Sequence, residues 1–118
     1  MRKKNIGKPT RWYSDKQEKH VAKVVRGKQV SNSGATAFHK GDVITRNFLI
    51  ECKTTTKDVK SFSIKREWLD KNEEERFAMN KDYSALAFDF GDSDVYYIIN
   101  EKLFQQLVTL LEEENYEP

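Results

Sequence analysis

Two short segments joined by a polar turn decide the fold of this chain. They are Asp42-Val43-Ile44 and Phe48-Leu49-Ile50-Glu51-Cys52-Lys53, and Thr45-Arg46-Asn47 lies between them. Because β-branched and aromatic residues favour strands, this pattern predicts an antiparallel hairpin. The hairpin carries charged residues at positions where the centre of a sheet is usually apolar, which makes it the first place to look for function.

The predicted register of the hairpin places two acidic residues opposite each other. A two-residue turn at Arg46 and Asn47 pairs Asp42 with Glu51, and a four-residue loop gives the same pairing. Since strand side chains alternate between faces, Glu51 and Lys53 share one face. Two carboxylates at directly opposite positions have Cβ atoms about 5 Å apart and repel each other unless a cation lies between them. The sequence therefore predicts a metal site, and such oxygen ligands suit Mg²⁺, with Mn²⁺ as a substitute.

The rest of the chain predicts an α/β domain around this hairpin. Ser14 as N-cap with Gln17 as its capping-box partner, and Gly27 as a stop, predict a first helix over residues 15–26. The remaining predicted elements are strands at 61–64, 83–90 and 94–99 and helices at 65–81 and 101–114. This order predicts a single domain with a mixed five-stranded sheet flanked by helices.

Positive charge is concentrated in the first half of the sequence. Residues 1–57 contain 14 Lys and Arg against 4 Asp and Glu, whereas residues 58–118 contain 7 against 15. We expect a basic arm at 1–13 and the folded domain at 14–118. The asymmetry indicates a surface that binds a polyanion such as DNA, although a merely solvated surface is the alternative. The candidate phosphate-binding residues are Arg2, Lys3, Lys4, Lys19 and Lys23.

The predicted first helix also carries an acidic residue on its apolar stripe. At about 100° per residue, Glu18 falls on the same side of the helix as Val21, Ala22 and Val25. Its carboxylate is therefore expected to face the sheet. A basic stripe lies separately on the same helix, so one helix offers both a candidate ligand and a phosphate-facing edge.

Taken in order, Glu18, Gly41-Asp42 and Glu51-Cys52-Lys53 resemble the signature of the PD-(D/E)xK nucleases. The compact layout over residues 18–97 is similar to that of the Holliday junction resolvases of archaea and bacteriophages. Gly41 stands where the signature has proline. The resemblance implies a restriction-endonuclease-like fold and a Mg²⁺-dependent endonuclease that hydrolyses phosphodiesters in four-way DNA junctions.

The resemblance also implies roles for the matching residues. Asp42 and Glu51 would ligate the metal, and the backbone carbonyl of Cys52 would complete its coordination. Lys53 would orient or activate the attacking water. Glu18 would support a second metal or its bound waters.

Further DNA contacts follow from the same resemblance. Ser33, or the equally placed Ser31, resembles a serine beside the scissile phosphate, and Lys65 would lie near the site. Trp68 could stack on bases, but we expect it to pack in the core. A junction is cut twice and one such domain offers one site, so we expect a homodimer if the junction is the substrate.

Other interpretations of the function stay open at this point. The chain could be another small nuclease of the same superfamily, of nicking or flap type, or a binding module without catalysis. In that last case Asp42 would be a polar residue at a strand start, and Glu51 and Lys53 would form a weak surface ion pair. Cys52 is the only cysteine, and no apolar run approaches the ~20 residues that cross a bilayer. We therefore expect a cytoplasmic protein without a membrane partner, in the host cytoplasm if phage-encoded.

Overall fold

A mixed sheet with helices on both faces forms the frame of the molecule. The computed structural model describes residues 10–30 and 42–114. The helices there are α1 (Thr10–Val25), α2 (Arg66–Ala78) and α3 (Glu101–Glu114), and the strands are β1 (Lys28–Gln29), β2 (Asp42–Ile44), β3 (Phe48–Lys53), β4 (Tyr83–Asp89) and β5 (Val95–Ile98). The strands lie in the order β1-β2-β3-β4-β5, with β3 and β4 parallel and all other neighbours antiparallel. The predicted α/β class with five strands is confirmed.

The β2–β3 hairpin has the predicted register. Asp42 is opposite Glu51, and the N–H of Thr45 donates to the carbonyl oxygen of Phe48 at 3.0 Å. The Thr45 hydroxyl accepts hydrogen bonds from the backbone N–H groups of Asn47 and Phe48, at 3.3 and 3.0 Å. These bonds fix the tight turn, and with it the face on which each strand side chain lies.

The two faces of the sheet bury different sets of residues. Helix α1 covers one face, where Val21 packs in a core cluster with strand residues of β2, β3 and β4. Helix α2 covers the other face, where Leu49 and Leu86 are fully buried. Burial of each leucine contributes about 1.5–3 kcal/mol to stability. Because Asp42, Glu51 and Lys53 alternate with the core residues, they lie on the face covered by α2.

The third predicted strand is wrong in position. Residues 61–64 form no strand, and their alternation reflects Phe62 packing against Phe88 and Trp68 without ladder hydrogen bonds. The additional strand is β1, which pairs with β2 at the edge of the sheet. Arg26 in the left-handed region, with φ 57°, turns the chain after α1, and Gly27 lies so close to the Ile44 carbonyl that no Cβ would fit. This close approach brings two polar residues onto the free edge of β2.

The predicted start of the first helix is also wrong. Helix α1 begins at Thr10, so Ser14 lies inside it and residues 10–13 of the expected basic arm are helical. Tyr13, Gln17 and Val21 are buried at spacings of four residues, which extends the stripe facing the sheet by one turn. Gln17 is therefore a buried residue rather than a capping-box partner.

The other predicted elements hold, with boundaries that differ from the prediction by at most three residues. Helix α2 is slightly shorter than the predicted 65–81, strands β4 and β5 lie within the predicted 83–90 and 94–99, and helix α3 spans the predicted 101–114. None of the described helices combines the length and apolar character needed to cross a membrane.

Candidate active site

The candidate site is centred on the two acidic residues that the hairpin brings together. Asp42 on β2 and Glu51 on β3 are cross-strand partners, with 1% and 7% of their surfaces exposed. Directly opposite positions in an antiparallel pair have Cβ atoms about 4.5–5.5 Å apart. The structure therefore places both carboxylates on one face, almost completely removed from water.

Asp42 lies in surroundings that disfavour its charged form. Its pKa is raised to about 8, mainly by burial and then by the charges of Glu75, Glu51 and Glu18, against the smaller opposing effect of Lys53. Neither carboxylate oxygen of Asp42 has a hydrogen-bond partner within the described residues. A buried carboxylate with these neighbours requires either a proton or a cation.

Lys53 is held beside Glu51 as the strand alternation predicts. Its Nζ lies 3.3 Å from Glu51 Oε2, and both side chains are largely shielded, with 32% and 10% exposed. The same Nζ lies 4.5 Å from the centre of the Trp68 ring, and the Nζ of Lys65 lies 5.8 Å from it. Trp68 is half-buried, contrary to the expected core position. Its ring contacts both lysines, so the predicted DNA contact Lys65 lies near Lys53.

Glu18 reaches the hairpin region from α1, on the opposite side of the sheet. Its Oε1 accepts a hydrogen bond from Gln29 Nε2 at 3.3 Å, and its charge raises the pKa values of both Asp42 and Cys52. The residue is half-buried, which is compatible with the predicted position on the apolar side of the helix. Its location suits a supporting electrostatic role better than direct ligation beside Glu51.

Cys52 has its side chain on the face of the sheet opposite to Glu51. The side chain packs against the core cluster, and burial, followed by the charges of Glu18, Asp42 and Glu51, raises the pKa of the thiol. The thiol therefore stays protonated at neutral pH and is a poor nucleophile. Only its backbone is a candidate for the site.

Helix α2 contributes a carboxylate that the sequence analysis missed. Both oxygens of Glu75 are inaccessible to solvent, and among charged groups Glu75 has the largest effect on the pKa of Asp42. Within Glu73-Glu74-Glu75 the sequence gives no sign of which acid faces inward. Glu75 lies three residues after the buried Asn72, on the same side of α2, but the burial of Asn72 is itself known only from the structure.

A buried polar network that the sequence analysis also missed supports the end of β3. Gln17 Nε2 donates to the backbone carbonyl of Lys53 at 2.7 Å and to Asp89 Oδ2 at 2.9 Å. Asp89 also accepts hydrogen bonds from the Thr54 hydroxyl at 2.9 and 3.0 Å and from the N–H of Gly91 at 2.8 Å. The network fixes the backbone from which the Lys53 side chain extends.

The predicted phosphate-binding residues are only partly within the described regions. Lys19 is exposed and forms an ion pair with Asp15 at 3.0 Å, and Lys23 is exposed in the last turn of α1. The remaining predicted contacts lie outside the described residues: Arg2, Lys3, Lys4, Ser31 and Ser33.

The donor set fits a small, hard cation. Across the described ranges, no three His, Cys, Asp or Glu side chains are grouped closely enough to hold a metal ion. Two carboxylates are the usual protein contribution to a Mg²⁺ site, where waters and substrate phosphates supply the remaining ligands. The buried oxygens of Asp42, opposite Glu51, therefore suit Mg²⁺ or Mn²⁺.

Comparison of the chain with protein-family models, with curated proteins and with solved structures found no match.

Proposed function

We propose that this chain is a metal-dependent DNA endonuclease, specifically a Holliday junction resolvase of phage type that hydrolyses phosphodiesters in four-way junctions. The observation that carries the proposal is the buried Asp42 opposite Glu51, with Lys53 on the same face of the strand. Two shielded carboxylates and one lysine lie at the open end of the hairpin, away from its turn, and such a set is suited to phosphodiester hydrolysis.

The proposed chemistry divides the work among these residues. Asp42 and Glu51 would hold Mg²⁺, and the backbone carbonyl of Cys52 is the further candidate ligand. The bound ion would supply positive charge to the phosphate and lower the pKa of a water. Lys53 would place its ammonium group beside the phosphate and orient the attacking water, while its ion pair with Glu51 and its contact with Trp68 restrict its rotamers.

The proposed substrate follows from the charge distribution and from the resemblance to resolvases. The basic half of the sequence would contact the DNA backbone. Among the proposed DNA contacts, Lys19, Lys23 and Lys65 are the ones that the structure describes, and all three are exposed. Two symmetric cuts in a junction require two copies of the site, so a homodimer is part of the proposal.

The test compares cleavage of a synthetic four-way junction with cleavage of a linear duplex of the same sequence. Asp42→Asn and Glu51→Gln should abolish Mg²⁺-dependent cleavage and leave junction affinity unchanged or higher, because each removes negative charge near phosphate. Asp70→Asn is the matched control, since Asp70 is exposed and pairs only loosely with Arg66 at 3.7 Å. Mg²⁺ should also raise the melting temperature of the wild type and of Asp70→Asn more than that of Asp42→Asn.

The outcomes of this test separate the candidate functions. Full activity of either site variant contradicts the site assignment. Equal cleavage of the duplex and the junction would favour a less selective nuclease, and junction binding without cleavage under any metal would favour the binding module.

The basic arm has its own test. Removal of residues 1–9 leaves helix α1 intact, because that helix begins at Thr10. Each lost phosphate contact should lower the slope of log affinity against log salt by about 0.9. An unchanged slope would exclude Arg2, Lys3 and Lys4 as phosphate contacts.

A further inference from the structure

Helix α3 exposes a broad apolar surface. Its exposed side chains include Phe104 at 60%, Leu107 at 41% and Leu110 at 62%. Val108 and Leu111 are exposed on the same side of the helix, as the 100° spacing requires. The five side chains together expose roughly 500 Å² of apolar surface, which is at the upper end of the patches found on monomers.

The helix is attached to the rest of the domain mainly through its first turn. Asn100 caps it, with Oδ1 accepting a hydrogen bond from the N–H of Leu103 at 2.8 Å, and Leu103 is buried. Beyond this turn, α3 makes no extensive contact with any other helix or strand of the described residues. A cavity of about 390 Å³, lined in part by Arg76 and Gln106, lies where α3 passes α2 and β4. An isolated helix of 14 residues is marginal in water, so packing against another surface would stabilise it.

We propose that α3 is the dimer interface of this protein and that its occupant is the α3 helix of a second copy, packed antiparallel. The inference rests on the proposed function only in that a junction resolvase needs two copies; the surface itself is argued from α3 alone. With the two-fold axis near Leu107, Phe104 of one copy meets Leu110 of the partner subunit. The same patch is then buried on both copies, as an isologous interface requires.

The charges at the ends of α3 favour a second copy in this orientation. The last turn holds acidic and no basic residues, with Glu112, Glu113 and Glu114 in sequence. Parallel packing would superimpose the acidic ends of both copies. Antiparallel packing separates them by about 20 Å, beyond the screening length of physiological salt, and places each near the positive N-terminal end of the partner helix.

The area of the apolar surface also suits a pair of identical copies. A standard interface buries about 800 Å² per partner. The exposed apolar patch supplies more than half of this, and polar residues beside it, among them Gln106 next to Leu110, would complete the rim.

The test is sedimentation velocity of the full chain without DNA and without divalent metal, over 1–100 μM, roughly the range in which weak dimers dissociate. We expect the wild type to sediment as a species of twice 13.9 kDa at the upper concentrations. Leu107→Lys should raise the dissociation constant at least about 100-fold, because two lysines would face each other across the axis. Gln105→Lys, which adds the same charge on the other side of α3, should leave it within about threefold. A wild type that is monomeric at all concentrations would overturn the proposal, and this result does not depend on whether Leu107→Lys folds. The patch would then be covered by another segment or another protein.

Cross-linking tests the orientation. Under mild oxidation, Leu107→Cys should form a disulfide-linked dimer, whereas Leu110→Cys should not, because antiparallel packing separates the two copies of residue 110. The wild type controls for Cys52. Cross-linking of both variants to the same extent would exclude the antiparallel arrangement.

These measurements fail independently of the proposed nuclease. A dimer that never cleaves DNA would leave the interface standing and overturn the function. A monomer that cleaves a junction in a metal-dependent way would do the reverse.

Discussion

The β2–β3 hairpin and helix α3 depart from the usual distribution of residues in opposite directions. The hairpin buries charged groups, above all Asp42, in the centre of the sheet. Helix α3 exposes apolar groups, among them Phe104 and Leu110, on the surface. Both placements are unfavourable for an isolated chain, since buried charge loses hydration and exposed apolar surface orders water.

The two regions differ in what would relieve this cost. A cation or a proton relieves the hairpin, whereas only another apolar surface relieves the helix. This difference is the basis of the two proposals, a small cation at the hairpin and a macromolecular partner on α3. If each region is a functional surface, some hairpin substitutions should lower the cleavage rate without lowering stability. Some α3 substitutions should weaken association without lowering the stability of a single copy.

Beyond the two carboxylates, the largest effect is expected at Lys53. Lys53→Met should retain the fold, junction binding and metal-dependent stabilisation, yet reduce the cleavage rate by about 10²–10⁴-fold, the range associated with a positioned proton-transfer or electrostatic group. Single-turnover cleavage of a junction with excess protein measures this rate directly. Lys71→Met is the control, because it removes the same charge from an exposed position on α2 that has no proposed role in the site.

Two further results bear on the role of Lys53. Lys53→Arg should also be strongly impaired, since a planar guanidinium differs in shape and hydration from the ammonium group. If Lys53→Met cleaves at close to the wild-type rate, Lys53 has no part in the reaction. The hairpin and α3 would then differ only in how their residues pack.

The second effect concerns the cost of burying Asp42 without metal. Asp42 has a pKa near 3.8 when exposed and about 8 in the folded protein. Between these values the unfolded chain has released a proton that the folded chain retains, so the free energy of unfolding should fall as pH rises from about 4 to about 8. In EDTA, the melting temperature of the wild type should therefore decrease by several degrees across this window, on the order of 4 °C per kcal/mol.

Asp42→Asn provides the test of this linkage. Asparagine carries no ionisable proton, so the decrease should largely disappear and the variant should be the more stable protein at pH 8 without metal. If the melting temperatures of the wild type and the variant change with pH in the same way, the raised pKa of the buried Asp42 is contradicted.

The outcome of sequence analysis differed between these regions for physical reasons. The hairpin register followed from alternation, because a two-residue turn and a four-residue loop give the same pairing, and the limits of α3 followed from its amphipathic stripe. Strand β1 could not be predicted, because Lys28 and Gln29 carry no apolar pattern and pair only where Gly27 packs against Ile44. Glu75 could not be selected because its burial depends on how α2 crosses β3 and β4.

The exposure of α3 was equally invisible in the sequence. An amphipathic stripe predicts that a helix buries one side, and it does not distinguish the core of the same chain from the surface of a second one. Gln17 shows the converse limit, since a capping-box spacing was present and the residue instead became the buried donor to Lys53 and Asp89.

The third prediction concerns that donor. Gln17→Leu keeps the shape of the side chain approximately and removes both hydrogen bonds, leaving the carboxylate of Asp89 with fewer donors in a buried position. The free energy of unfolding should fall by about 2–3 kcal/mol, and cleavage should weaken because the Lys53 backbone is released. Urea denaturation measures the loss. Gln29→Leu is the control, since its two hydrogen bonds are longer, at 3.2 and 3.3 Å, and only partly buried. Equal losses in both variants would mean that the network contributes nothing specific to the site.

The smallest effect is expected from a substitution on the exposed side of α3. Phe104→Gln should change the unfolding free energy of dilute protein by no more than about 0.5 kcal/mol, because the ring is mostly in solvent in a single copy. Leu103→Ala, one residue earlier and buried, should cost about 2–3 kcal/mol at every concentration. The two variants should differ in the concentration dependence of melting, since a dimer melts at a higher temperature as protein concentration rises. Phe104→Gln should abolish that dependence and Leu103→Ala should retain it. A large loss of unfolding free energy for Phe104→Gln in dilute protein would show that the ring already packs within a single copy. Helix α3 would then not be an exposed apolar surface, and its contrast with the hairpin would be wrong.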